Sequence, residues 1–181
     1  MRYFLYFSLF FAACSLESGN KNTDHLYFSM DSLVAAQSHL LFEQQMGFKK
    51  EVEIAGKKET KRFKAQEINW SSELKIFKSL ELNKSSFSGG IDVQSDAKGI
   101  IYRAKKTTKI PVKELLIRFD NGKIKTITGV YQDDDAAAAF ISRRNFKMNF
   151  VDGMVRSFEI SGIQKMVMTD TATFQVMAEI F

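Results

Sequence analysis

Residues 115–131 read LLIRFDNGKIKTITGVY, and this stretch decides the fold. Leu115, Ile117 and Phe119 alternate with their neighbours, and an alternation with period two is typical of a half-buried strand. Asn121-Gly122 is the strongest short hairpin signal, because both residues tolerate the positive φ of a two-residue turn. The stretch therefore predicts two antiparallel strands joined at Asn121-Gly122.

The same pattern extends in both directions along the chain. Phe146, Met148 and Phe150 alternate with polar residues and lead into Asp152-Gly153, a second hairpin turn. Gly162 predicts a bend or bulge in the strand that follows. Further apolar alternations lie at 91–93, 100–104, 124–131, 158–160, 166–168 and 174–180. Sequential hairpins predict a meander with one buried and one wetter face.

Helical spacing precedes the strands. Asp31 or Ser32 is suited to cap a first helix, which Gly47 would end. Asn69 is suited to cap a second helix, whose apolar face would run from Trp70 through Leu74 and Phe77 to Leu80. A short hairpin turning at Gly56 separates the two helices. We therefore expect an α+β fold, in which two N-terminal helices pack on a curved antiparallel meander of about seven strands.

The N-terminus has the features of an export signal. Arg2 supplies a positive charge, residues 3–11 are almost entirely apolar, and Ala12-Ala13 precede Cys14. This arrangement resembles a bacterial lipoprotein signal. The resemblance implies cleavage before Cys14 and attachment of a diacylglycerol, with acyl chains such as palmitate, to its thiol. A membrane span would need about 20 apolar residues, and an ordinary core element would leave the placement of the lone cysteine unexplained.

The signal divides the chain and predicts its location. Residues 1–13 would form the signal peptide, 14–28 the lipidated N-terminus with a flexible tether, and 29–181 one domain. The anchor implies attachment to the bacterial cell envelope. Ser15 replaces the aspartate of the inner-membrane retention rule, which favours the outer membrane with the domain facing the periplasm.

Composition limits the available chemistry. Cys14 is the only cysteine, so its lipidation would leave no intramolecular disulfide and no zinc site built on cysteine. The net charge of +5 is concentrated in residues 49–64 and 98–113. Nucleic acid is a poor partner for an exported protein, and anionic headgroups or an acidic partner fit better. Two solvated strand faces are the simpler explanation of the same charges.

The candidate metal ligands lack a suitable pattern. His25 lies in the expected tether and His39 on the first helix, and neither has an evident third partner. Asp133, Asp134 and Asp135 lack the spacing and the glycine turn of a calcium loop, so they predict a solvated loop or a helix cap. We expect no metal and no cofactor.

Catalytic signals are equally weak. Glu67, Glu73 and Asp92 offer carboxylates for acid–base chemistry, but nothing in the sequence brings them together. Residues 88–90 read Ser-Gly-Gly and predict a flexible turn rather than a phosphate-binding loop. We therefore expect no catalytic residues and a protein that is not an enzyme.

Large and adaptable apolar side chains dominate the inward positions of the strands. They are Phe146, Met148, Phe150, Phe158, Met166, Met168 and Phe174. Methionine makes apolar walls that adjust to different ligands. These residues predict either an ordinary core beneath the helices or a loosely filled concave face that holds a lipid.

Parts of the mature chain resemble uncharacterised envelope lipoproteins of Gram-negative bacteria. The similar pieces are Gly56, Glu59, Trp70, Glu73, Leu74, Phe77, 82–84 and 119–123. The resemblance implies that the protein is exported and has an α+β domain, and it indicates no catalytic residue.

The sequence thus predicts a lipid-anchored, non-enzymatic envelope protein that acts as a binding or interaction module. It would use a sheet edge or a basic face for a protein partner. The alternative is a carrier or sensor of a lipid or other apolar ligand on the concave face of the sheet.

Overall fold

Nine antiparallel strands form one sheet in the computed structural model, which describes residues 26–135, 140–165 and 171–181. The strands are β1 Phe48–Ile54, β2 Lys57–Phe63, β3 Ile91–Asp96, β4 Gly99–Ala104, β5 Val112–Asp120, β6 Lys123–Asp135, β7 Phe140–Val151, β8 Met154–Lys165 and β9 Ala172–Ile180. The helices are α1 Met30–Glu43 and α2 Trp70–Leu74, with 3₁₀ turns at Ala65–Glu67, Lys75–Leu80 and Ser85–Phe87. The helices lie on one side of the sheet, here named the inner face.

The strand order is β2-β1-β9-β8-β7-β6-β5-β4-β3. Strands β3 to β9 form a continuous meander, as the hairpin turns predict. The early hairpin β1–β2 then joins the far side of β9, with Phe48 opposite Ile180 and Ile54 opposite Phe174. The sheet is not closed, so β2 and β3 are its edges.

The expected fold class is wrong. Strand accounts for 54% and helix for 21% of the structure, so the protein is mostly β rather than two helices on a seven-strand sheet. The count of seven fails because β1 and β2 belong to the same sheet through the β1–β9 pairing. The second helix is also short: α2 has five residues before the chain tightens into the 3₁₀ turn Lys75–Leu80.

The ends of the helices follow capping chemistry. Ser29, rather than Asp31 or Ser32, caps α1: its hydroxyl accepts the N–H of Ser32 at 3.1 Å. Asn69 caps α2 as predicted, and its side chain accepts the N–H of Ser72 at 3.0 Å. Gly47 does not end α1, which stops at Glu43. Gly47 instead exchanges backbone hydrogen bonds of 2.9 and 3.0 Å with Phe181.

Both predicted hairpin turns are confirmed. Asn121 and Gly122 have φ of 49° and 75°, and Asp152 and Gly153 have φ of 51° and 81°. Gly162 does not mark a bulge, because β8 keeps its register there opposite Arg144. Glycine is needed for another reason: a Cβ at this position would overlap the carbonyl oxygen of Arg143 on β7.

The helical layer packs on the inner face by close contact. Phe77 lies edge-on to Phe146 and Phe158, with ring centroids 5.6 and 5.5 Å away. Gly129 leaves room for Leu80, whose Cδ1 would lie 2.6 Å from a Cβ at that position. All of these side chains are buried, so this contact is the centre of the core.

A hydrogen-bonded arrangement, here named the N-terminal clasp, holds the chain just before α1. Asn83 Oδ1 accepts the N–H of Tyr27 at 3.0 Å, and Asn83 Nδ2 donates to the Tyr27 carbonyl at 3.1 Å. The Tyr102 hydroxyl accepts the N–H of Phe28 at 3.2 Å. Buried Glu81 accepts the N–H of Asp31 at 2.8 Å. The chain therefore enters the fold at a fixed point.

Candidate functional site

The helical layer leaves one end of the inner face uncovered. Along β9 the inward side chains change from buried Ile180 and Ala178 to half-buried Val176 and Phe174. The neighbouring β8 extends further in the same direction, to Lys165. This uncovered part of the inner face contains a groove of about 420 Å³.

The groove has apolar walls and a few charged groups. Its lining residues are Lys50, Ser72, Glu73, Ile76, Arg144, Phe158, Ile160, Gln164, Phe174 and Val176. Half of the lining residues are apolar. These five side chains come from β8, from β9 and from the 3₁₀ turn Lys75–Leu80. Pockets for small ligands commonly measure about 300–1,000 Å³ and combine apolar walls with few polar groups. The size and the lining therefore suit a small amphiphilic or apolar molecule.

Two of the three charged lining residues neutralise each other. Lys50 Nζ on β1 lies 2.7 Å from Glu73 Oε2 on α2, and the two side chains are 28% and 27% exposed. This ion pair fastens the helical layer to the sheet at the border of the groove. Arg144 is the third charged lining residue, and it takes no part in this ion pair.

Arg144 lies on β7 and stacks on an aromatic ring. Its guanidinium carbon lies 5.7 Å from the centroid of Tyr131, which is directly opposite on β6. Burial raises the pKa of the Tyr131 hydroxyl, nearby Asp133 raises it further, and the charge of Arg144 opposes both. Arg144 makes no ion pair with any residue in the part of the chain that the structure describes.

Ser142 lies two residues from Arg144 on the same face of β7. It is 1% exposed, and its hydroxyl has no hydrogen-bond partner among the described residues. A buried hydroxyl without a partner costs free energy, and most such groups find one. A polar group without a partner therefore lies beside Arg144.

Three other depressions lie elsewhere on the described surface, and some of their polar groups are already engaged. One of about 360 Å³ on the outer face contains Arg103, which is paired with Glu114 at 3.0 Å. One of about 580 Å³ lies beside the N-terminal clasp, where Glu81 and Asn83 serve the backbone. One of about 410 Å³ lies beside Trp70. The cations of these depressions differ in place from Arg144: Lys84 lies over the Phe87 ring beside the N-terminal clasp, and Arg118 lies on the outer face.

Several predicted site residues lie outside the described residues. These are Cys14, His25, Met166 and Met168. His39 is exposed on α1, and its Nδ1 lies 3.3 Å from Glu43. Within the described ranges, no group of three or more metal-ligating side chains is present.

The acidic candidates do not converge. Asp133 and Asp134 lie in β6 rather than in a loop or helix cap, and alternation along the strand sends them to opposite faces. Asp134 accepts hydrogen bonds from Gln132 at 2.6 Å and from Arg143 at 3.4 Å, which lower its pKa.

The carboxylates of Glu67, Glu73 and Asp92 also lie apart from one another. Glu67 accepts the N–H of Lys64 at 2.9 Å, Glu73 lines the groove, and Asp92 lies near Lys105 on the far side of the sheet. The Ser-Gly-Gly segment turns before β3, with Gly89 at a φ of 70°. The described residues therefore show no paired acid and base.

The two basic segments do not form one surface. Residues 49–64 form the β1–β2 hairpin, and residues 98–113 span β4 and the start of β5. Four strands, β9 to β6, lie between them. Much of the charge is also paired locally, as between Lys58 and Glu51 at 2.6 Å.

The predicted inward residues divide between core and groove. Phe146, Met148 and Phe150 are buried, and Phe158 is a buried residue that also reaches the groove. Phe174 lines the groove. Sequence reasoning missed Arg144, although a signal was present: it lies two residues before Phe146 in the same alternation.

Comparison of the chain with family models, with curated proteins and with solved structures finds no match. None of the helices in the described ranges is long and apolar enough to span a bilayer.

Proposed function

We propose that this protein is a non-enzymatic binding module of the bacterial envelope that holds an apolar ligand in the inner-face groove. The observation that supports the proposal is the uncovered end of the sheet, where half-buried Phe174 and Val176 remain accessible beside the helical layer and buried Ile160 lines the same groove. Binding an apolar ligand there would remove these side chains from water, which favours association.

The location is part of the same proposal. Lipidation of Cys14, after cleavage of residues 1–13, would hold the domain at the membrane by several acyl chains. We place it at the outer membrane, facing the periplasm. Support comes from the signal pattern that ends in the only cysteine.

The groove is tested by filling it. N-phenyl-1-naphthylamine, a neutral apolar dye that fluoresces when shielded from water, serves as the probe. The full chain carries Cys14→Ser, so that no attached acyl chain competes. Val176→Trp places an indole in the groove, while Met177→Trp places the same indole on the outer face of the same strand.

We expect Val176→Trp to weaken dye binding by roughly tenfold, because the added side chain occupies the volume that the dye needs. Met177→Trp should bind the dye as the parent does. Equal binding by both variants would reject the groove as the ligand site. An absence of dye binding to the parent would reject the proposed function.

The anchor is tested separately in cells that are fed a labelled fatty acid. The parent chain should take up the label, and the Cys14→Ser chain should not. Labelling of the variant would reject lipidation at Cys14.

A further inference from the structure

The floor of the groove has a distinct arrangement around Arg144. The register places Tyr131, Arg144, Gly162 and Phe174 side by side on strands β6, β7, β8 and β9. Gly162 has no side chain, so none separates the guanidinium of Arg144 from the ring of Phe174 in this row. The guanidinium lies over Tyr131, and Arg144 and Phe174 both line the groove, so a cation and an apolar wall border the same space.

Two acidic side chains lie near this point, and neither makes an ion pair with Arg144. Asp133 is on the same face of β6, where it accepts a hydrogen bond from the Tyr131 hydroxyl at 3.3 Å. Glu73 is the acidic lining residue, and it is engaged with Lys50 at 2.7 Å. Arg144 is half-buried, and its recorded interaction is the stacking on Tyr131. A partly buried cation gains most from an anion that also satisfies its hydrogen bonds.

We infer that the groove binds an amphiphile with an anionic headgroup, carboxylate or phosphate, which Arg144 recognises while the alkyl chain lies along Phe174, Val176 and Ile160. This inference rests on the proposed function and adds the chemical class of the ligand. The planar guanidinium matches the two oxygens of either headgroup. The Ser142 hydroxyl lies on the same face, two residues away, and has no described partner.

The test compares ligands with the same chain and different headgroups. Dodecanoate, dodecyl phosphate and neutral dodecanol are titrated below their aggregation limits into the full chain carrying Cys14→Ser, with displacement of the naphthylamine dye as the readout. Inorganic phosphate alone separates headgroup binding from chain binding. Dodecanoate and dodecyl phosphate distinguish the two headgroup sources.

Arg144→Gln removes the charge, and Arg144→Lys keeps the charge but loses the planar fork. Arg143→Gln is the matched control, because Arg143 is the next residue of β7, faces the other way and pairs with Asp134 at 3.4 Å. Circular dichroism confirms that each variant is folded before titration.

We expect the parent to bind at least one anionic ligand roughly tenfold more tightly than dodecanol, as a charge-assisted hydrogen bond allows. Arg144→Gln should lose this preference and keep its affinity for dodecanol. Arg144→Lys should keep part of the preference, and Arg143→Gln all of it.

Equal binding of all three ligands by the parent would overturn the inference and leave the proposed function standing. The inference also fails if Arg144→Gln keeps the preference. An absence of binding by every alkyl ligand would overturn both. Binding of phosphate alone with no gain from the alkyl chain, lost in Arg144→Gln, would also overturn both, since the ligand would then be a small anion.

Discussion

The inner face of the sheet has a covered half and an open half, built from the same strands. On β7 the covered half carries Phe146 and Met148, which are buried beneath the helical layer. The open half of the same strand carries Arg144 and Ser142. The alternation of inward and outward residues is unbroken between them, so the difference lies in the side chains and in what covers them.

The two halves differ in the hydrogen bonding of their polar groups. The covered half contains Gln37, which donates to the Gly153 carbonyl and accepts the N–H of Val155, both at 2.9 Å. The open half contains Arg144, which stacks on the Tyr131 ring, and Ser142, which is itself buried and whose hydroxyl has no described hydrogen-bond partner. Gln37 thus follows the rule that buried polar groups are hydrogen-bonded, whereas the Ser142 hydroxyl departs from it among the described residues.

The largest expected effect comes from replacing one aromatic residue in each half by alanine. Phe77→Ala should destabilise the fold by about 3–5 kcal/mol, because Phe77 is fully buried and contacts two rings across the core. Phe174→Ala should cost about 1 kcal/mol or less, because its side chain is only half-buried. Chemical denaturation of both variants measures the difference.

Similar losses in the two variants would contradict the division into a covered and an open half. A third variant, Val151→Ala, controls for the loss of exposed apolar surface in the same sheet, since Val151 is 54% exposed.

A smaller test adds one methyl group at the closest approach of the helical layer. Gly129→Ala should destabilise the fold by about 1–3 kcal/mol, because the new Cβ would lie 2.6 Å from Leu80 Cδ1. Leu80→Ala makes a cavity by itself, but in its background Gly129→Ala should cost much less. The full double-mutant cycle by denaturation gives this coupling, and simple additivity would refute the close contact.

The smallest test concerns the attachment of α1. Burial acts to raise the pKa of Glu81, but hydrogen bonds from Asp31, Asn83 and Ser29 outweigh it, so the pKa lies below its ordinary value of 4.5. The contribution of a carboxylate with a lowered pKa is fully present above 4.5 and is lost as the pH falls through the folded-state pKa. Glu81→Gln should cost about 1 kcal/mol at neutral pH, the usual value for a lost helix cap.

The readout for Glu81 is the difference in unfolding free energy between parent and variant, followed from neutral pH into acid. That difference should shrink as the pH drops below 4.5. A constant difference would show that the carboxylate is not the stabilising form.

Some local signals in the sequence predicted local features of the fold, although the cap and the end of α1 were predicted wrongly. Asn121-Gly122 and Asp152-Gly153 form hairpins, and Asn69 caps α2, because each depends on residues only a few positions apart. The pairing of β1 with β9 has no such signal. Phe48 and Ile180 are far apart in sequence, and nothing near either residue indicates the other.

The groove depends on this long-range pairing and could not be derived from local patterns. It needs β1, which carries Lys50, to pair with β9, which carries Val176, and it needs the helical layer to end before the strands do. The apolar spacing predicted a longer helix, but α2 has only five residues. Its short length sets the border between the helical layer and the groove. Arg144 is different, since its inward position follows from the alternation that begins at Phe146.

The β1–β9 pairing also sets an order of events during folding. The β1–β2 hairpin is made early by a ribosome, but the strand that it pairs with, β9, follows every other strand in the sequence. Contacts that close such long loops form slowly, and an unpaired strand edge invites aggregation in the meantime. The alternating Lys49, Glu51 and Glu53 of β1, with the lysines of β2, would keep the waiting hairpin in solution. The charges at this edge thus have a role before the native state exists, as protection for a nascent chain whose sheet is completed by its final strand.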